Sequence, residues 1–142
     1  MPLRKVLLYP LIALLLFILF LFVSGSPILL APSGLHEELL AGNVLAWLGM
    51  ILFPVTLYLG LFSGKGAQDP RLGVFRLAML AAISFGLIWG VVAYGLAGNW
   101  SFNFSGQAEG FVGSPQAGEF FWYWNYLALG LPLFILLLYA GF

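Results

Sequence analysis

The sequence predicts an all-α integral membrane protein: a four-transmembrane-helix bundle with both ends cytoplasmic (N-in/C-in) and a longer aromatic-rich outer loop between helices 3 and 4. Three observations predict it. Hydrophobic residues make up 63% of the 142 residues and charged ones only 7%, whereas a soluble domain carries about 25% charged residues to keep its surface wet. The ionisable residues are so sparse that four apolar stretches, each long enough to cross hydrocarbon, separate them. Every Lys and Arg also falls where an even number of crossings puts it on one side of the bilayer. Four spans with brief loops use nearly the whole chain, so residues 1–142 are expected to form a single transmembrane domain.

The first span, at about 6–23, is apolar apart from Tyr9 and Pro10 and reaches roughly 27 Å at 1.5 Å per residue. Arg4 and Lys5 precede it and small residues follow at Ser24 to Ser26, as in a secretory leader. The apolar run nevertheless exceeds the roughly 7–15 residues of a leader's core, so a retained helix is expected. The second span, about 39–62, has Asn43 and Thr56 as its main polar side chains and Pro54 as a source of a kink. The third runs over about 77–97. The fourth, about 120–141, opens in the aromatic run Phe120, Phe121, Trp122, Tyr123, Trp124 and carries Pro132.

Orientation follows from the positive charges, because Lys and Arg in short loops remain cytoplasmic. Arg4 and Lys5 precede span one, while Lys65, Arg71 and Arg76 lie in or beside the connection between spans two and three. These five are the expected cytoplasmic anchors. The opposite loops hold Glu37, Glu38, Glu109 and Glu119 with the single histidine, His36, and no Lys or Arg. A plasma (inner) membrane location is expected, with the acidic side facing out.

The two outer loops differ. The first, from Ser24 to Glu38, is broken by Pro27, Pro32 and Gly34. The second, from about Gly98 to Glu119, begins by alternating aromatic and small polar residues through Trp100, Phe102 and Phe104. With Trp122 and Trp124 these aromatics are the expected contacts at the outer interface, either as a headgroup belt or as a cap over the bundle or a neighbouring subunit. Its two Asn-x-Ser triplets, at Asn99 and Asn103, match the glycosylation pattern but lie against the membrane, so we set no weight on them.

Span three places Ala78, Ala82, Gly86 and Gly90 at every fourth position, on one face where another helix can approach closely. Gly60 and Gly64 repeat the small-xxx-small spacing more weakly at the end of span two. Packing inside the bundle is the simpler explanation of this stripe; docking of a partner subunit is the sharper one. His36 with Glu37 and Glu38 is the one candidate constellation for an axial haem or chlorin ligand or a metal. Adjacent residues in a helical turn diverge, however, so a solvated helix entrance, capped by Ser33 and with carboxylates at the positive dipole end, is the expected arrangement.

Several classes are excluded or disfavoured. Five basic residues balance five acidic ones, which leaves no excess for phosphate backbones, so no nucleic-acid partner is expected. Cysteine is absent, which removes disulfides, thiolate metal sites and thioether haem attachment through this chain. No G-x-S-x-G, H-E-x-x-H or phosphate-binding Gly-rich loop occurs, and no ionisable residue lies at membrane depth as a proton or ion pathway requires. No motif binds a cofactor, although grooves beside the glycines would admit a lipid, quinone or pigment. The expected function is therefore a non-catalytic accessory subunit of a larger membrane complex, of a respiratory or photosynthetic electron-transfer kind, partnered by other membrane subunits and the bilayer. The step to electron transfer rests on where small subunits of this build are found, not on a residue. The alternative is an autonomous small transporter or channel for a neutral or lipophilic substrate, lined by Asn43, Thr56, Ser84 and the proline kinks. A membrane enzyme or quinone-binding protein using Tyr94, Asn125 or Tyr126 as polar contacts near the outer face ranks lowest.

Overall fold

The computed structural model describes residues 3–62, 70–100 and 110–141, with the side chains of Pro70 and Arg71 left undescribed. Its elements are α1 (Leu3–Val23), a 3-10 turn (Pro27–Leu30), α2 (Ala41–Leu57) continuing as a π-helical turn (Tyr58–Phe62), α3 (Pro70–Ala97) and α4 (Pro115–Ala140). Among the described residues the chain is all-helical, and four helices are long and apolar enough to cross a membrane. The chain is thus a multi-pass membrane protein. The end that carries the N-terminus, the α2–α3 connection and Arg76 is called the basic end below, and the other the acidic end.

Local chemistry sets where the helices begin and stop. α1 ends where Gly25 takes a left-handed φ of 61° and the Ser24 hydroxyl donates to the Leu21 carbonyl. α3 starts at Pro70, earlier than the expected position 77, and α4 at Pro115, earlier than position 120. Proline suits the first turn of a helix because its missing N–H has no intrahelical acceptor there. Ser114 completes the start of α4, its Oγ accepting from Ala117 N–H at 3.2 Å. Both helices therefore extend past the hydrocarbon, so hydrophobic length alone underestimates them.

The segment before α2 corrects a second expectation. α2 begins at Ala41 behind Leu40, which offers no side-chain cap, so His36, Glu37 and Glu38 do not lie in a helical first turn. They occupy a loop closed by its own backbone: Pro32 bridges Leu40, Ser33 N–H donates to Leu39 O at 2.8 Å, and Ala41 N–H donates to Ala31 O at 2.8 Å. Ser33 accepts from Leu35 N–H at 3.2 Å within this loop rather than capping α2. Two carboxylates and an imidazole remain in water this way, and their cost of burial is avoided.

The helices pack in chain order, α1 on α2, α2 on α3 and α3 on α4, with α2 also touching α4. α1 is attached chiefly along α2, where Ile18 lies against Gly49, and only Ile18 and Leu21 of its 21 residues are buried. The core has two parts. Met50, Trp89, Ala93, Ala97, Phe121 and Ala128 fill the acidic-end half. Phe62, Met79, Ala82 and Ile135 fill the basic end, edged by Phe75 and Tyr139.

Candidate functional site

The densest chemistry lies in the acidic half of the α2–α3–α4 packing and is built on tryptophan. Gly86 and Gly90 bring α3 so close to α2 that a Cβ on Gly86 would strike the Met50 carbonyl, and one on Gly90 would strike the Trp47 indole. Pro54 has no N–H to offer the Met50 carbonyl four residues back, so α3 approaches α2 at the turn where the helical ladder is already interrupted. Trp47 lies across Gly90 and its Nε1–H donates to the Gly86 and Leu87 carbonyls at 3.1 and 3.0 Å. Its ring stacks on Trp100 at 6.2 Å, and Trp100 stacks on Tyr94 at 4.3 Å. Asn43, buried at the start of α2, donates its side-chain amide to the Trp100 carbonyl.

A second chain of bonds ties α3 to α4. Trp89 is fully buried and donates Nε1–H to Asn125 Oδ1 at 3.0 Å, while Asn125 Nδ2 donates to Phe121 O at 2.7 Å. Trp124 Nε1–H donates back to the Trp89 carbonyl at 3.3 Å. In hydrocarbon such groups need internal partners, since lipid tails offer none. The chain arriving from the second loop is pinned nearby, with Val112 N–H donating to Ala97 O at 2.8 Å and Gly113 seated against the Leu96 carbonyl, where a side chain would not fit.

The expected small-residue stripe is brought together inside the molecule. Ala82, Gly86 and Gly90 are buried, Ala78 is half-buried, and Gly86 and Gly90 are covered by α2 of the same chain. Gly60 instead faces open space on the π-helical turn, and its spacing partner Gly64 lies outside the described residues. Of the outer-interface aromatics, Trp124 turns inward to α3 and Trp100 covers the start of α2, while Trp122 is exposed; Phe102 and Phe104 lie outside the described residues, as does Glu109. His36 is exposed at the loop tip with Nδ1 accepting from Glu38 N–H at 3.3 Å, and among the described residues no three His, Asp or Glu side chains gather into a metal site.

At the basic end, Arg76 Nε donates to the Phe62 carbonyl at 3.0 Å, placing a cation on the last carbonyl of the π-helical turn. Nearby, Phe62 and Phe75 stack with centroids 6.4 Å apart, and Tyr139 meets both edge-on at 5.0 and 5.8 Å. Lys5 is exposed and Arg4 half-buried in the first turn of α1, whereas Lys65 lies outside the described residues.

The polar side chains proposed for a transport path are not aligned. Asn43 bonds Trp100 at the acidic end; Thr56, thirteen residues on and roughly 20 Å away along the helix, donates to Phe53 O at 2.8 Å; Ser84 donates to Leu80 O on an exposed face of α3. A groove of about 300 Å³ lies between α3 and α4, lined by Val92, Leu96, Phe120, Tyr123, Trp124 and Leu127. Its lining is apolar apart from the tyrosine and tryptophan, which suits an acyl or isoprenoid tail.

The features define a polytopic α-helical membrane protein whose interior polar groups serve helix packing. Scans against family models, curated proteins and solved structures find no match for the chain.

Proposed function

We propose that this protein is a non-catalytic accessory subunit of a larger membrane complex, of the respiratory or photosynthetic electron-transfer kind. One observation carries the proposal: the buried polar side chains Asn43, Thr56 and Asn125 are each bonded to a neighbouring residue of the same chain. Each therefore holds helices or backbone in place rather than facing a substrate. The basic end, with Arg4, Lys5 and Arg76, is assigned to the cytoplasmic face of a plasma (inner) membrane by the distribution of its charges.

The alternative of an autonomous transporter or channel for a neutral substrate has weaker support, because its lining residues lie on separate faces and at separate depths. Purifying the tagged protein from its native membrane in mild detergent tests both. Stoichiometric partners of fixed identity are the expected result, and a visible spectrum of the same fraction reads out haem or chlorin. A colourless homo-oligomer with no partner would overturn the subunit assignment and direct attention to transport assays.

A further inference from the structure

An arginine side chain carries a permanent charge and N–H donors but no acceptor, so any edge of it that is covered needs an acceptor from elsewhere. Arg4 presents this problem. It stands in the first turn of α1, a helix that packs along α2 and reaches the π-helical turn Tyr58–Phe62. Its Nε is covered yet bonded to nothing, the one buried side-chain polar atom in that state among the described residues. Elsewhere the fold pairs what it buries, as at Asn43, Thr56, Trp89 and Asn125. The Arg4 side chain as a whole is only half-buried and neither Nη shares the state of Nε, so an acceptor can approach the outer edge of the guanidinium.

The other described cations of the basic end are provided for, since Arg76 donates to the Phe62 carbonyl and Lys5 is exposed to water. Carboxylates are scarce there. Glu37, Glu38, Glu109 and Glu119 belong to the acidic-end loops, and Asp69 alone falls in the connection at the basic end. Five Lys and Arg against that one carboxylate leave an excess of four positive side-chain charges at this end. A second copy inserted the same way would bring a like excess to the same level, which disfavours it as the source of the acceptor.

We propose that Arg4 binds the phosphate of an anionic phospholipid at the basic end of the α1–α2 pair. Two parallel N–H groups of a guanidinium match the spacing of phosphate oxygens, which a lysine ammonium does not. The excess of positive charge selects an anionic headgroup over a zwitterionic one. Leu7, one turn from Arg4 and exposed, gives the acyl chains an apolar flank on α1. The charge distribution assigns this end to the cytoplasmic face, the surface at which a bilayer presents anionic lipid. The site is independent of the accessory-subunit assignment, because the membrane itself supplies the ligand.

The test counts lipid bound to the delipidated full-length protein by native mass spectrometry, with dioleoylphosphatidylglycerol, dioleoylphosphatidylcholine or inorganic phosphate added. Phosphatidylglycerol should bind ahead of phosphatidylcholine by about five-fold or more. Arg4→Gln should weaken that binding by about ten-fold or more. Lys5→Gln, which removes an exposed charge from the same turn, should weaken it by no more than about five-fold. A second readout needs no variant and stands even if Arg4→Gln does not fold: phosphatidylglycerol with a photoreactive diazirine near its glycerol should label the first two turns of α1, Leu3–Pro10, in the unaltered chain. Equal losses from Arg4→Gln and Lys5→Gln would reduce the site to diffuse surface charge. Phosphatidylcholine binding as well as phosphatidylglycerol would remove the anionic selectivity, and displacement of lipid by millimolar phosphate would make this a site for soluble anions. Undiminished lipid binding in Arg4→Gln with loss of a copurifying polypeptide would put a partner's carboxylate there instead. Each of these outcomes, or photolabel spread over all four helices, overturns the proposal.

Discussion

Gly90 and Gly60 both lack a side chain and should respond oppositely to a methyl group. A Cβ on Gly90 would enter the Trp47 indole, which two carbonyl bonds to α3 hold in place, whereas one on Gly60 meets open space. Gly90→Ala should therefore destabilise the protein by about 1–3 kcal/mol as overpacking does, and Gly60→Ala should be neutral or stabilise by up to about 1 kcal/mol through helix propensity. Thermal unfolding in detergent, followed by tryptophan fluorescence, measures both. Asn125→Leu removes the acceptor of Trp89 Nε1–H and should cost about 1–2 kcal/mol. Combined with Trp89→Phe, which removes the stranded donor, the loss should be smaller than the sum of the two single losses. At this scale the sequence was only half legible. The four-residue spacing of Gly86 and Gly90 announced a close contact, but nothing in it said that the contact was Trp47, because that pairing is decided by the relative depth of two helices. Trp89 did carry a signal: a tryptophan far from either interface needs a partner, and Asn125 is one of few polar side chains in the spans able to supply it.

The end of α2 joins two interruptions of its backbone, Pro54 within the helix and the π-helical turn Tyr58–Phe62 after it, with Tyr58 N–H shared between the Pro54 and Val55 carbonyls. Arg76 holds the last carbonyl of this turn from α3. Removing that cation in Arg76→Gln should cost about 1 kcal/mol, less than a fully buried charged bond because Arg76 is partly exposed. Amide hydrogen exchange should quicken at residues 58–62 and remain unchanged in α4; uniform exchange across both would show that Arg76 does not restrain the turn. The π-helical geometry was not legible, since one extra residue per turn leaves no mark on composition or hydrophobic pattern. The starts of α3 and α4 carry a local signal in the sequence. Pro70 and Ser114-Pro115 are ordinary helix-start signals, outweighed by counting only as many residues as hydrocarbon requires.

Across the molecule, the four spans and the one-sided charge follow from solvation, which acts residue by residue and is therefore visible in sequence. The packing order does not, because apolar helix faces look alike until specific side chains meet; α1, with two buried residues in 21, reads more strongly than α3 in hydropathy and packs far less. Orientation is the property of the whole chain that solvation and charge fix together. The protein has no cysteine, so single substitutions report on sidedness without background. Gly34→Cys, in the exposed loop at the acidic end, should react with a membrane-impermeant maleimide in intact cells. Lys65→Cys, in the connection at the basic end, should react only after the membrane is permeabilised. The reverse pattern would mean that the five Lys and Arg residues face outward, against the bias that normally retains them, and would require another element of the assembly to set the topology. Labelling of both sites in intact cells would instead show a chain inserted in two orientations, and that outcome is the least compatible with a charge asymmetry in which all five Lys and Arg fall on one side.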